Sequence, residues 1–583
     1  MIFKYKVASL LIVLTVLKLN LLAQLPPIFD KNRSYQNETE VRKFLEPVKV
    51  LWKSSNGVTN EEKLLQKGNG QADLNSSGLC ILKSTAKLKP AILLDFGKEL
   101  HGGLQIVTGL WKVKGPIKIR VRFGESASEA MSDIDTIKGA TNDHAMRDFI
   151  VEVPWLGKLE IGNTGFRFVR IDLVDDNKEL ILKEVRAIFT YRNIPYLGSF
   201  KSSDTLLNKI WDVGAYTVHL NMQDYLWDGI KRDRLVWVGD LHPEVSTISS
   251  VFGYNEVVPK SLDLSRDITP LPKWMNGLSS YSMWWVIIHR DWYYNHGDLK
   301  YLKEQKEYLT KLLALLATKI DSKNSENLNA RFLDWPSSEN KQGIHAGLQA
   351  MMVLTFNAGA DLCKILNEPA TVKICEDAVT KLKKYVPEVN KSKQAASLLS
   401  LAGMLDAKKA NNDVIAVGGA ENFSTFYGYY MLKAKAKAGD YQGAIDNIRE
   451  YWGAMLNLGA TTFWEDFNLQ WLPNASRIDE LVPEGKKDIH GDYGAYCYIG
   501  FRHSLCHGWA SGPTPWLTEY VLGIQVISPG AKVIKVDPHL GDLTFAEGTF
   551  PTPFGLVKVK HTKLPNGQIK SDIQAPKEVK IIR

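Results

Sequence analysis

The chain has 583 residues, a formal net charge of +8, 45% hydrophobic and 10% aromatic residues. That length holds several domains, and so small a positive excess argues against a nucleic-acid partner while leaving an anionic polysaccharide open. The five cysteines (Cys80, Cys363, Cys375, Cys497 and Cys506) are scattered, odd in number and without CxxC spacing. They argue against a disulfide framework and a zinc site, and leave only a single bridge such as Cys497 to Cys506 open.

Residues 1–23 carry Lys4 and Lys6, then an apolar run from Val7 to Leu17 broken only by Ser9 and Thr15, then Leu21-Leu-Ala-Gln24. This is the layout of a secretory signal and is short for a membrane span, so the expectation is an exported protein, periplasmic or extracellular, with no span in its mature form. No cysteine precedes Cys80, so the segment lacks the residue a lipoprotein anchor needs; an uncleaved signal anchor is the alternative. Loss of Lys4, Lys6 and Lys18 would lower the charge to +5.

A polar lead-in, 24–78, precedes short alternating runs over 79–197, among them Leu104-Gln-Ile-Val-Thr108, Ile117-Lys-Ile-Arg-Val-Arg-Phe123 and Phe166-Arg-Phe-Val-Arg-Ile171. Gly and Asn/Asp clusters separate them, which predicts an N-terminal β-sandwich. Glu125, Asp143, His144 and Arg147 in this part read first as ordinary loop residues and only second as substrate contacts.

Over 198–522 the period becomes helical. Ten helices are predicted: Asp204 to Met222, Asp240 to Val251, Ser279 to His296, Asp298 to Ile320, Gln342 to Leu366, Pro369 to Val386, Lys393 to Leu405, Phe423 to Ala438, Tyr441 to Leu458 and Leu505 to Leu522. At Gly297-Asp298 and Gly439-Asp440 a glycine that ends one helix meets an aspartate that caps the next, the signature of a tight antiparallel hairpin. Such hairpins pack as a superhelical stack or as a closed ring, and the lack of a fixed-period repeat argues against a simple solenoid. After Gly523 the pattern returns to β, predicting a small C-terminal sheet domain over 523–583.

Two stretches of the helical part carry chemistry. Asp228-Gly-Ile-Lys-Arg-Asp233-Arg-Leu-Val-Trp237-Val-Gly-Asp240 holds three carboxylates and two arginines. If its second half is helical, Asp233, Trp237 and Asp240 share one face, a wall suited to a sugar; an ion-paired surface helix has the same pattern. Far downstream, Gly459-Ala-Thr-Thr-Phe-Trp464-Glu465-Asp466-Phe467 puts an acid directly after two aromatics. Two acid-bearing, Trp-rich segments suggest a glycosidase, in which one carboxylic acid protonates the leaving oxygen and a second carboxylate attacks or activates water. Indole faces suit sugar C–H surfaces, so Trp335 and Trp464, each next to an acid, and Trp237, between Asp233 and Asp240, are the expected pocket walls, while core packing is the first reading of the other tryptophans.

Several segments together resemble the α-L-rhamnosidase family of glycoside hydrolases, family 78. They are Leu94-Asp-Phe-Gly-Lys-Glu-Leu100, Arg122-Phe-Gly-Glu-Ser126, the 228–240 stretch, Ala436-Lys-Ala-Gly-Asp440, Tyr451-Trp-Gly-Ala-Met-Leu456, Gly459 to Glu465, His507 with Gly512-Pro-Thr-Pro-Trp-Leu517, Pro538-His-Leu-Gly-Asp542, and Phe550-Pro-Thr-Pro-Phe-Gly555. The resemblance covers about residues 90 to 560 and rests on the order and spacing of these segments. It implies a multidomain chain, a central all-α (α/α)6 barrel flanked by the two β-domains, and an inverting mechanism. It also implies that Asp228 and Asp240 bind rhamnose, that Glu465 is the general base, and that Asp233 stands at the general-acid position, where relatives usually have Glu. Asp is one methylene shorter, by roughly 1.5 Å, so either the pocket closes in or another acid donates, Glu244 being the nearest candidate. One of the two arginines is expected to pin Asp228 and Asp240, Arg232 being counted with the substrate-binding residues, and His507 to meet substrate beside Trp509, with a satisfied core histidine as the equal alternative. The expected chemistry uses no metal and no cofactor, on an oligosaccharide or polysaccharide bearing terminal α-L-rhamnose. Two other readings stay open: a hydrolase of another glycoside, and a glycan-binding protein that has lost its acid.

Overall fold

The computed structural model describes residues 40–583, so the expected signal segment 1–23 lies outside the described residues. The front domain is a nine-stranded antiparallel network built on Ala91–Thr108, Ile117–Gly124, Lys158–Leu173 and Glu179–Arg192. Ala91–Thr108 is buried over nearly its whole length because it has partners on both edges: Lys158–Leu173 along one, Glu179–Arg192 from Gly102 onward on the other. Register shifts between Asp95 and Leu100 and between Gly102 and Leu104 bend the strand. At Gly102, φ is 139° and a Cβ would lie 1.9 Å from the Ile188 carbonyl oxygen, so only glycine permits this approach. Lys49–Lys53 and Val58–Thr59 also join the sheet, which therefore begins inside the polar lead-in 24–78; strands this short leave no period to read.

Behind it, helical segments alternate between two rings. Among the described residues, the inner ring is Leu241–Val251, Ser279–His296, Lys341–Ile365, Lys393–Leu401, Gly428–Lys437 and the short Pro513–Trp516, each touching the next and the last closing on the first. Thr205–Asn221, Val257–Asp267, Leu299–Ala317, Pro369–Leu382, Ala407–Ala410 with its extension to Ile415, and Tyr441–Asn457 form the outer ring. The chain thus closes as an (α/α)6 barrel. Composition sets the ring each helix joins. Lys341–Ile365 has no charged residue from Gln342 to Ala360 and is buried nearly all round. Leu299–Ala317 buries only one stripe, Leu302, Leu309, Leu312, Leu313 and Leu316, and turns Lys303, Glu304, Glu307 and Lys311 to water. Gly297, at φ 71°, and Asp298, whose side chain accepts from the Tyr301 N–H, make the expected tight turn; Gly439 at φ 86° and Asp440, accepting from the Gly443 N–H, make the other.

Three expectations need correction. Leu505 to Leu522 is not one helix: a 3-10 turn Gly508–Ser511, the α-turn Pro513–Trp516 and a π-turn Leu517–Val521 follow one another, because Pro513 and Pro515 supply no N–H to earlier carbonyls. The outer helix Val257–Asp267 escaped prediction, Pro259 in its first turn hiding the pattern. The C-terminal domain also takes its first strand from before the barrel: Ser199–Ser202 pairs with Phe545–Thr552 in a four-stranded antiparallel sheet, beside a three-stranded sheet of Ile524–Val526, Val533–Val536 and Lys580–Ile582. The five cysteines are free thiols, so Cys497 and Cys506 form no bridge. No helix among the described residues is long and apolar enough to cross a membrane.

Candidate active site

The 228–240 stretch is not helical, so the shared helix face expected of Asp233, Trp237 and Asp240 does not exist. The stretch closes on itself as a loop: the Asp228 N–H donates to the Leu235 carbonyl and the Leu235 N–H to Asp228 Oδ1, 3.0 and 2.8 Å. At its tip Asp233 and Arg234 both have left-handed φ, 54° and 57°. L-residues resist that conformation, which costs on the order of 1 kcal/mol each and is held only by surrounding structure. Two remote segments lie alongside. The Gly508 N–H donates to the Asp228 carbonyl, the His507 N–H to the Phe463 carbonyl, and the Glu465 N–H to the Ser504 carbonyl. This backbone lattice brings 228–229, 463–465 and 504–508 side by side, which is how acids more than two hundred residues apart come to face one cavity.

That cavity, about 310 Å³, is lined by Asp228, Arg232, Asp233, Trp237, Asp240, Trp335, Glu465 and His507 together with Tyr281, Phe332, Cys497, Tyr498 and Trp509. Its volume is at the small end of the range of small-molecule sites, roughly 300 to 1,000 Å³. Arg232 stands between the two candidate catalytic carboxylates. Its Nη1 donates to Glu465 Oε1 at 2.9 Å, its Nε lies 3.7 Å from Asp233 Oδ1, and its guanidinium sits 5.6 Å over the Tyr498 ring. Two such contacts across one planar guanidinium keep the acids within about 9 Å of each other. Glu465 Oε2 accepts the Ser504 N–H at 3.0 Å, while the Thr425 hydroxyl and Trp509 Nε1 donate to the Glu465 carbonyl. Asp233 Oδ2 accepts from Trp237 Nε1 at 3.2 Å, and His144 Nδ1 lies 3.0 Å from Oδ1.

Asp228 and Asp240 are both buried. Asp240 Oδ1 accepts the Tyr281 hydroxyl at 2.9 Å and Oδ2 meets His507 Nε2 at 3.1 Å, while His507 Nδ1 is 4.0 Å from Glu465. Burial, then the neighbouring charges of Asp240 and Asp233, push the Asp228 carboxyl well above the usual carboxylate range. Burial also raises Asp240, against the opposing pull of His507 and Tyr281. Arg232 is held the other way: burial disfavours its charge, yet Glu465 and Asp233 outweigh that and secure it. The cavity can therefore offer a sugar hydrogen-bonding carboxyls, an aromatic wall and two further acids joined by one fixed cation.

The other expected residues divide. Trp464 is not a pocket wall; it is fully buried, edge-to-face on Phe467, because the chain turns its neighbour Glu465 to the cavity and the indole to the core. Glu244 is fully buried beside Gly508 and is not among the residues lining the cavity; burial raises its pKa and would keep it protonated, but its position, not its protonation, removes it as a substitute donor. Arg234 leaves the cavity and donates to the Asn163 carbonyl. Glu125 and Arg147 are buried structural groups, Glu125 accepting the Leu505 N–H and Arg147 donating to the Phe123 carbonyl, and Asp143 pairs with Arg502. Asp334, next to Trp335, is consumed by Ser337, Gln394 and Ser424. Tyr281, Tyr498 and Cys497 also line the cavity and carry no sequence signal, since none adjoins an acid. Glu125, Glu129 and His490 cluster closely enough to hold a metal ion, but Lys231 Nζ lies 3.0 Å from Glu125 and 3.2 Å from Glu129, so an ammonium fills that place.

Residues 195–521 match the family model described as the bacterial alpha-L-rhamnosidase 6 hairpin glycosidase domain, and residues 67–186 match the glycosyl hydrolase family 78 alpha-rhamnosidase N-terminal domain. An alpha-L-rhamnosidase of Alteromonas sp. (strain LOR) is 23% identical over 534 residues, 82% of this chain and 54% of that protein; the chain spans about half the length of the curated relatives it matches. Among solved structures, the family 78 rhamnosidase of Bacillus sp. GL1 superposes with a TM-score of 0.70 at 21% identity, covering 89% of this chain and 55% of that one. The Klebsiella oxytoca rhamnosidase solved with rhamnose bound gives 0.65 at 19% identity, covering 82% and 95%. These likenesses establish the common fold.

Proposed function

The chain belongs to the bacterial α-L-rhamnosidase six-hairpin glycosidase family, and on that premise we propose that it is an exported, inverting hydrolase of terminal α-L-rhamnosides in a plant or microbial glycan. The observation that carries the reading is the single cavity lined by Asp233 and Glu465, with Arg232 between them and Asp228 and Asp240 beside them. Asp233, in its acid form, gives its proton to the glycosidic oxygen as the C1–O bond breaks and both bonding electrons leave with the aglycone. Water attacks C1 from the opposite face, and Glu465 takes the proton that water loses. Asp228 and Asp240 bind sugar hydroxyls, Tyr281 and His507 hold Asp240 in place, and Trp237 and Trp335 flank the ring. Asp233 lines the cavity, which supports a hydrolase over a glycan-binding protein that has lost its acid.

The test is hydrolysis of an aryl α-L-rhamnoside followed by proton NMR within the first minutes. The expected product is β-L-rhamnose, which then mutarotates. Initial release of the α-anomer refutes inversion, turnover confined to other aryl glycosides refutes the sugar assignment, and tight oligosaccharide binding without product refutes the enzyme.

A further inference from the structure

The acid position, where this chain is one methylene short, is also the point at which the front sheet domain reaches the barrel site. His144 lies on the loop between the strands Ile117–Gly124 and Asp148–Val153. Its Nδ1 is 3.0 Å from Asp233 Oδ1, and its Nε2 is 3.1 Å from Arg502 Nη2. Nε2 is also 3.4 Å from Asp143 Oδ2, a longer contact than the one to Arg502. A guanidinium only donates, so the tautomer that serves Arg502 leaves Nε2 bare and points Nδ1–H at Asp233 Oδ1; a hydrogen on Nε2 toward Asp143 instead makes the ring an imidazolium that still donates from Nδ1 to Asp233. Arg502 also grips the neighbouring Asp143 at 3.1 Å, and the Phe501 N–H donates to the Lys138 carbonyl at 2.6 Å. At Gly139, φ 68°, a Cβ would meet the Ile499 carbonyl at 3.0 Å, so the loop lies flat on 499–502. Two residues further on, Ser504 gives the N–H that holds Glu465.

His144 does not line the substrate cavity; it lies in a smaller neighbouring one, behind Asp233. The carboxyl of Asp233 is therefore gripped from two sides, Oδ1 by the imidazole behind it and Oδ2 by Trp237 on the cavity wall. Each oxygen accepts one donor and keeps a second lone-pair site, and Oδ2, the oxygen held by the cavity-wall residue Trp237, is the one placed to carry the transferable proton. The left-handed backbone at Asp233 and Arg234 needs such external restraint, since a short acid on a strained turn would otherwise sample rotamers that miss the glycosidic oxygen.

We propose that His144, oriented by Arg502, is a positioning residue for the acid, so that the front sheet domain completes the hydrolytic site. The proposal rests on Asp233 being that acid. Its signature is dependence on the leaving group, because a phenolate that departs unaided needs no proton while a basic one does. In the full chain, His144→Phe should lower kcat/KM by about 10- to 100-fold on phenyl α-L-rhamnoside but by less than about threefold on the dinitrophenyl analogue, with KM little changed; a partial loss is expected where the acid itself supplies about 10²–10⁴. His144→Asn keeps a donor where Nδ1 stood and should recover most of the phenyl rate. Arg502→Met should show a weaker form of the same dependence. A loss equal on all leaving groups, no loss, or an Asn variant no better than Phe overturns the role of His144. Asp233→Asn is the control. If it has the steep dependence and His144→Phe does not, His144 is wrong and the acid stands; if it lacks the dependence, the acid assignment falls and this proposal with it.

Discussion

Replacing Glu465 by Gln separates chemistry from architecture at one atom pair. Glu465 accepts on both oxygens, from Arg232 Nη1 at 2.9 Å and from the Ser504 N–H at 3.0 Å. Glutamine offers one oxygen and one NH2, so whichever way the amide turns, a donor meets a donor. A buried donor left unmatched costs about 1 to 3 kcal/mol, a thermal shift of no more than about 4 °C per kcal/mol in a chain of this size. The catalytic loss is larger: a general base supplies about 10²–10⁴, or about 3 to 5 kcal/mol of barrier. Initial rates on nitrophenyl α-L-rhamnoside, with a melting curve on the same sample, should therefore show a folded protein with turnover reduced at least about 100-fold. Azide, which attacks C1 without losing a proton, should restore aglycone release. A folded variant that hydrolyses within about tenfold of the parent would refute the assignment of Glu465 and the reading of its cavity.

Tyr281→Phe removes the hydroxyl that Asp240 Oδ1 accepts inside a buried site; a loss of about 1 to 3 kcal/mol, about 5- to 150-fold in kcat/KM, should follow, and an unchanged value would mean that Asp240 needs no such anchor. Burial, with the adjacent Glu465 charge, raises the Asp466 carboxyl to about 7. The folded state then keeps a proton that the unfolded chain loses near pH 4, so this group's contribution to stability is full below that pH and disappears as pH rises through about 7. Melting curves from pH 4 to 8 should fall less steeply for Asp466→Asn than for the parent, and parallel curves would contradict the shift. Burial and the nearby Glu465 push the Cys497 thiol up to about 11, so although it lines the cavity it should resist iodoacetamide at neutral pH and react, with loss of activity, only in alkaline buffer. Rapid inactivation at neutral pH would refute the shielded thiol.

The barrel was legible because helical period, capping and burial are local. Gly297-Asp298 and Gly439-Asp440 write their turns in adjacent residues, and the uncharged run in Lys341–Ile365 marks an inner helix before any neighbour is known. Where two prolines break the period, over 505–522, or short strands leave none, over 49–59, the reading failed. The site was half legible. The acids of 228–240 and Glu465 were found from their company in sequence, although the helical face used to join them was wrong. Trp464 was assigned to the wall on adjacency to an acid, which says nothing of which way each side chain points.

From its own order of residues the chain determined the paired helices, the flanking sheets and the acids, since each depends on spacing within a few turns or on side-chain type. Only the folded molecule decided that a reversed, left-handed loop rather than a helix presents Asp233, that Arg232 spans the two acids, and that His144 arrives from another domain. Those contacts join residues up to 358 positions apart, and hydrogen bonds of this kind depend on distances set by packing, which no local pattern encodes.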